Sequence, residues 1–229
     1  TAPVSTVNTA EPIAAAACPK AAAPPIPSIS ETTVPQSETP ILIIVGGCAS
    51  REYRGYCLES AAAAYPLALI DTEPPTWHKA HIVDHELATG SSTEAVVAAG
   101  LRLAARHRVA GVLTWDEYRL VQASALAAGL GLPGSPVTAM LAARDKGTSR
   151  RLFRQHGVPS ATSTRVRTLA EAALASEQTG FPVVLKPAAA CASFGVVRAD
   201  NAEELAHHWS FVAGAAGDQH GEGEGILVE

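Results

Sequence analysis

Several of the features that would settle the class of this 229-residue chain at once are missing from it. Basic charge is not in excess: 17 Lys and Arg stand against 22 Asp and Glu, a formal net charge of −5, and the arginines are scattered apart from residues 144–154. A polyanion needs a positive field to hold it, so nucleic acid is excluded as an expected partner. The four cysteines, Cys18, Cys48, Cys57 and Cys191, form no CxxC pair and no dense framework. That argues against structural zinc and against an oxidising compartment, and the expected location is the cytoplasm. No apolar run reaches the roughly 18 residues of a membrane helix, and the first residues lack the basic start of a signal peptide, so no membrane partner is expected. The GxGxxG spacing of a dinucleotide turn is absent as well, which leaves Gly46-Gly47 only a weak likeness to one.

What is present, 47% hydrophobic and 17% charged residues, suits a globular protein with one or two ordinary cores. Residues 1–40 are mostly Ala, Pro, Ser and Thr. They read as a disordered leader or linker, with a transient helical turn at 14–17. Order is expected to begin at "ILIIVGG", a continuous aliphatic run meeting two glycines, as in a buried parallel strand. A helix over 53–65, strands "PLALID" and "AHIVDH", a helix over 92–107 capped by Ser92 or Thr93, a strand "VAGVLTWDE" and a helix over about 117–128 follow. Glycine and proline stop the last at 129–134. This alternation predicts an α/β fold with a parallel sheet and functional groups beyond the strands' carboxyl ends, where Gly46, Asp71 and Asp116 fall.

From about residue 137 the pattern changes. One helix over 135–157 is expected, then strand "VPSATSTRV", helix 168–180, strands "FPVVLKPA" and "FGVVRAD", helix 201–215 and strand "GILVE". The last three strands lack long crossovers, so antiparallel pairing and an α+β half are expected, with the boundary near 136–139. The final strand is expected to lie unpaired with an apolar edge. Both termini, Thr1 and Glu229, have the look of cuts in something longer.

The chemistry concentrates in "GFPVVLKPAAACASFGVVRAD". Lys186 closes an apolar strand, and an unpartnered desolvated ammonium costs several kcal/mol. The small residues 188–195 let backbone amides and the Ser193 hydroxyl approach phosphate oxygens closely. A strand-end lysine with a tight hairpin makes a phosphate clamp; an exposed lysine beside an ordinary turn fits these residues equally well.

Four segments in order carry a more specific signal: "RDKGTSRRLFRQHGVPSATSTRV", "TGFPVVLKPAAACASFGVVRAD", "AEEL" and "ILVE". Over residues 145–229 they closely resemble the first half of the ATP-grasp fold of carboxylate-amine and carboxylate-thiol ligases. The resemblance implies a parallel-sheet pre-ATP-grasp domain over 41–138, followed by an incomplete α+β ATP-grasp subdomain over 139–229. It implies that Lys146 and Lys186 contact ATP phosphates, that Ser193 and Gly195 belong to the loop closing over them, and that Glu229 begins the segment meeting adenine. ATP, Mg2+ and small carboxylate and amine substrates are the implied ligands, and self-association is left open. In this family the magnesium ligands and the arginine meeting the acyl phosphate follow the hinge, so they are expected downstream of Glu229. The 229 residues alone are then expected to bind ATP weakly without turnover. Where many relatives carry glycines this chain has Ala190, Cys191 and Ala192, which puts the loop's amide contacts in question.

The resemblance implies an acyl-phosphate ligase forming an amide or peptide bond. A biotin-carboxylase-like reaction and a nucleotide-binding module without turnover are the alternatives. His78, His81 and His85 in "WHKAHIVDHE" are read as solvated imidazoles of a surface strand rather than a metal site, and His207-His208 as exposed. Cys191 is read as a small filler. Asp116 and Glu117 either contact substrate or cap the following helix.

Overall fold

The computed structural model describes residues 39–47, 50–217 and 225–229; the expected leader over 1–40, its helical turn, Cys18 and Cys48 lie outside or almost wholly outside them. Strand β1 (Ile41–Val45) is aliphatic at every position because both its faces are covered. Ile41, Ile43 and Val45 pack with Val96, Leu103 and Leu126 on one side, while Ile44 packs with Leu58, Leu67 and Leu69 on the other. Helix α1 (Arg51–Ala64) leads to β2 (Leu67–Asp71), which pairs parallel with β1.

The third strand is displaced from its expected place. The segment "WHKA" forms a 3₁₀ turn (Trp77–Ala80), and β3 (Asp84–Leu87) starts only after it. Polar residues dominate β3 because it is an edge strand. Asp84 and Glu86 pair with Arg106, at 2.9 and 2.7 Å, on helix α2 (Thr93–Arg106), which Ser92 caps as expected. Strand β4 (Val109–Leu113) joins the other side of β1, giving the parallel order β3-β2-β1-β4. Chain direction across the sheet therefore reverses between β1 and β4, the place where open α/β sheets leave a crevice.

A 3₁₀ turn (Glu117–Arg119) and helix α3 (Leu120–Gly129) follow. Gly100 of α2 lies against α3 so closely that an added Cβ would sit 2.2 Å from Leu126 Cδ1. Leu126 is wholly buried and cannot swing clear. Gly100→Ala is expected to lower stability by about 1–3 kcal/mol through overpacking, read as a lower urea midpoint at unchanged slope; an unchanged midpoint would show that the two helices can part.

The single helix expected over 135–157 is two. Helices α4 (Val137–Arg144) and α5 (Lys146–Gln155) meet at Asp145, whose extended backbone (φ −102°, ψ 105°) ends one and begins the other. Its carboxylate caps α5 by accepting from Thr148 N at 2.6 Å. A helix running through this point would lose that cap, as well as the bond from Lys146 N to Ala188 O at 3.0 Å.

The second sheet, built from β5 (Thr164–Val166), β6 (Val183–Pro187), β7 (Val197–Ala199) and β8 (Ile226–Val228), is antiparallel throughout in the order β5-β8-β6-β7. Helices α6 (Leu169–Thr179) and α7 (Ala202–Gly217) cover one face, where Val166, Leu185 and Val228 meet Ala172, Leu205 and Val212. The strand expected over 158–166 keeps only its last three residues. The final strand is not an unpaired edge: β8 lies between β5 and β6 and is fully buried. No helix among the described residues is long and apolar enough to cross a membrane.

Candidate functional site

Lys186 is the fourth residue of β6, and alternation points it away from the helix-covered face. Glu229 follows β8 and stays in register, its backbone exchanging bonds with Val184 at 2.7 and 3.0 Å. That pairing sets Glu229 diagonally across from Lys186 on one face. The Lys186 ammonium donates to Glu229 Oε2, with the two side chains 14% and 8% exposed. Arg150 reaches the same carboxylate from α5, Nε to Oε1 at 2.9 Å. Burial pushes the Glu229 carboxyl up, but the hydrogen bonds and charges of Arg150 and Lys186 outweigh it and hold the group below the usual carboxylate range.

Lys146 opens α5, and its ammonium donates to the carbonyl of Ala190, just past the end of β6. Burial lowers its pKa, and the nearby Arg144 and Lys186 lower it further against the opposing pull of Glu117. The two lysines expected to act together are thus within electrostatic reach of one another. Arg144 binds the same strand exit through Ala189 O at 2.8 Å, pairs with Glu117 and lies 4.8 Å from the centre of the Tyr118 ring. The Arg165 guanidinium and the N–H of Thr148 hold the Asp145 carboxyl below its usual range despite burial, which acts the other way.

The hairpin between β6 and β7 presents its tip to solvent: Ala192, Ser193 and Phe194 are exposed. Ala192 and Ser193 both adopt left-handed backbone, φ 52° and 60°, conformations for which L side chains are poorly suited. Their small size is what the turn tolerates best. Gly195 (φ 70°) is buried at the loop's base, where a Cβ would stand 2.5 Å from that of Ala215. The structure therefore groups Lys146, Lys186 and Glu229, and places Ser193 and Gly195 on the adjoining hairpin without a side-chain contact from Ser193 to either lysine among the described bonds.

Sequence reasoning missed Arg150 and Arg144. Arg150 follows Lys146 by four residues and so shares its helix face, a signal that was there to use. Arg144 is recognisable only once the strand exit is seen to pass beside it.

At the crevice of the parallel sheet, Gly46, Asp71 and Asp116 line one cavity of about 490 Å3 together with Glu73 and His78. Asp71 accepts from Gly47 N at 2.9 Å. Asp116 caps the 3₁₀ turn by accepting from Tyr118 N at 2.9 Å, which meets the capping alternative, while Glu117 pairs with Arg144. His78 is not solvated as expected: it is 6% exposed and stacks on Trp77 with ring centres 3.9 Å apart. Its imidazole packs so tightly on Gly47 that a Cβ there would lie 2.6 Å from Nε2. His85 is exposed, and His81 lies 3.8 Å from Glu59. Cys57 and Cys191 are free thiols.

Residues 145–229 match the family model described as carbamoyl-phosphate synthase L chain, ATP binding domain. The chain is 33% identical over 133 residues to alanine–anticapsin ligase of Bacillus subtilis, covering 58% of this chain and 27% of that protein. Its fold is similar to that of an L-amino acid ligase from Bacillus licheniformis, with TM-score 0.63 at 21% identity over 85% of this chain and 44% of the other. It is equally similar, at 0.63 and 18% identity, to the biotin carboxylase domain of the Hydrogenobacter thermophilus 2-oxoglutarate carboxylase, solved with MgADP and bicarbonate, over 84% of this chain and 44% of that one. The chain thus spans about a quarter of the curated relative's length and under half of each solved structure.

Proposed function

We propose that this chain supplies the phosphate-binding half of an ATP-dependent carboxylate-amine ligase of the ATP-grasp type, a reading supported by the match of residues 145–229 to a carbamoyl-phosphate synthase L chain ATP binding domain. A carboxylate oxygen of the donor attacks the γ-phosphorus of ATP, ADP departs, and an acyl phosphate remains. The amine nitrogen then attacks the acyl carbon, loses a proton and expels phosphate, forming the amide. The observation that supports this reading is the pair of cations, Lys146 from α5 and Lys186 from β6, meeting at one strand exit beside an exposed small-residue hairpin. Two compact ammonium groups can hold a phosphate chain by charge from different sides, and holding it is most of what phosphoryl transfer asks of a protein.

Lys146, Lys186, Ser193 and Gly195 are assigned to the phosphates, and Glu229 to the adenine end. When bound, Mg2+ neutralises charge on the phosphate oxygens. Among the described residues no group of three or more His, Cys, Asp and Glu could hold a metal, so none is assigned to it. Residues 41–138 would form the companion domain, and its acidic crevice with Asp71, Glu73 and Asp116 suits an amine-bearing substrate. A cytoplasmic location fits two free thiols and ATP as co-substrate.

The test is isotopic. In the full-length enzyme, a donor labelled with 18O in its carboxylate should transfer one label to the phosphate released, and ADP release should require both donor and amine. Label kept wholly in the product would remove the acyl phosphate. ADP release that requires only bicarbonate in place of an organic acid would favour the carboxylase-like reading.

A further inference from the structure

On the face of the second sheet away from α6 and α7, β5, β8 and α5 enclose a cavity of about 330 Å3. Arg150, Arg151, Arg154, Arg165, Ser163 and Leu227 line it, while neither Lys146 nor Lys186 does. Two of these guanidinium groups have carboxylate partners: Arg150 binds Glu229 and Arg165 binds Asp145. The other two do not. Arg151 meets Gln155 Oε1 at 3.4 Å, and Arg154 forms no ion pair among the described residues. The cavity wall therefore carries two positive charges in surplus. A second observation is independent of charge: Ser163 Oγ is sequestered from solvent and has no hydrogen-bond partner among the described residues. A buried hydroxyl without a partner is costly, and native proteins seldom leave one so.

We propose that this cavity is a binding site for a phosphate-sized oxyanion, separate from the lysine pair. Guanidinium forks present parallel N–H donors that match a tetrahedral oxyanion, and they hold it more directionally than lysine does. Ser163, whose unpartnered Oγ–H is buried in the wall, supplies a neutral donor to the same group once its side chain turns toward the cavity. The volume lies at the small end of ligand pockets, which suits a single phosphate on a small organic body and not a nucleotide. Arg150 belongs to both sites, so an occupant competes with Glu229 for it. The two sites are then coupled, and the coupling must be reciprocal.

The probe is inorganic phosphate titrated into the 229-residue chain in chloride-poor buffer, followed by calorimetry and by the 31P resonance. Saturable binding is expected, weakened at least roughly tenfold by Arg154→Ala and by Arg151→Ala, since each removes charged hydrogen bonds. Both residues are exposed, so their loss should leave the thermal midpoint in place, and either variant suffices if the other misfolds. Lys186→Ala should keep saturable phosphate binding, with affinity shifted only as far as a Glu229 left with Arg150 alone competes for that guanidinium. Absence of saturable binding overturns the proposal, as does affinity undiminished in both arginine variants. Abolished binding in Lys186→Ala overturns it as well, because the anion then belongs to the lysine pair. None of these readouts depends on ATP turnover, so the ligase reading can fail while this one stands.

Discussion

Lys186→Ala is expected to lower kcat/KM for ATP-dependent ligation in the full-length enzyme by roughly 10²–10³-fold, the usual consequence of removing a preorganised group aimed at developing charge. Its ammonium sits only 14% exposed at a strand end, beside a second lysine. A cation in so little water attracts phosphate more strongly than one on an open surface. Glu229 keeps its other partner, Arg150 at 2.9 Å, in the variant. The sheet should therefore hold, and the loss should appear in turnover and not in folding. Coupled measurement of ADP release, with circular dichroism beside it, separates the two. Turnover within severalfold of the parent would remove Lys186 from the phosphate site. A collapsed spectrum would mean that its role is structural.

The parts of this molecule that could be read in the chain are those where one local rule has no competitor. The aliphatic run 41–45 could only be a strand covered on both faces, and it is. "FPVVLKP" carries Lys186 out of a buried strand at the place its alternation requires. The misreadings arose where a distant residue decides. Residues 135–157 have helical composition throughout, and the break at Asp145 is enforced by Arg165 and by Ala188, neither of which is near in sequence. His78 reads as a polar surface residue until Trp77 and the bare backbone of Gly47 are seen to enclose it. The strand "ILVE" looks like an edge because it comes last, whereas its neighbours β5 and β6 were written some 40 to 60 residues earlier. The same holds for the site: its lysines stand in recognisable motifs, while the carboxylate that links Lys186 to Arg150 is defined only by the register of β8 against β6.

That carboxylate should have the largest effect on stability. In Glu229→Gln the Lys186 ammonium and the Arg150 guanidinium, 14% and 27% exposed, face one another without the negative charge between them. A loss of about 3 kcal/mol near neutral pH is expected, the lower end for breaking a buried pair, because Arg150 retains some access to water. The sign of the pH dependence follows from the depressed carboxyl. A group whose folded pKa lies below its ordinary value of 4.5 contributes stability that is present above that value and lost as pH falls through the folded one. Parent and variant should accordingly differ most in urea midpoint near neutrality, and should converge at acid pH once the parent's carboxylate has taken its proton. A gap that persists unchanged into acid would mean that the contribution of Glu229 is packing and not charge. The same substitution removes the group assigned to the adenine end, so ATP affinity in the full-length enzyme should fall as the fold weakens. A rise in affinity would mean that Glu229 acts only as the internal anion of Lys186.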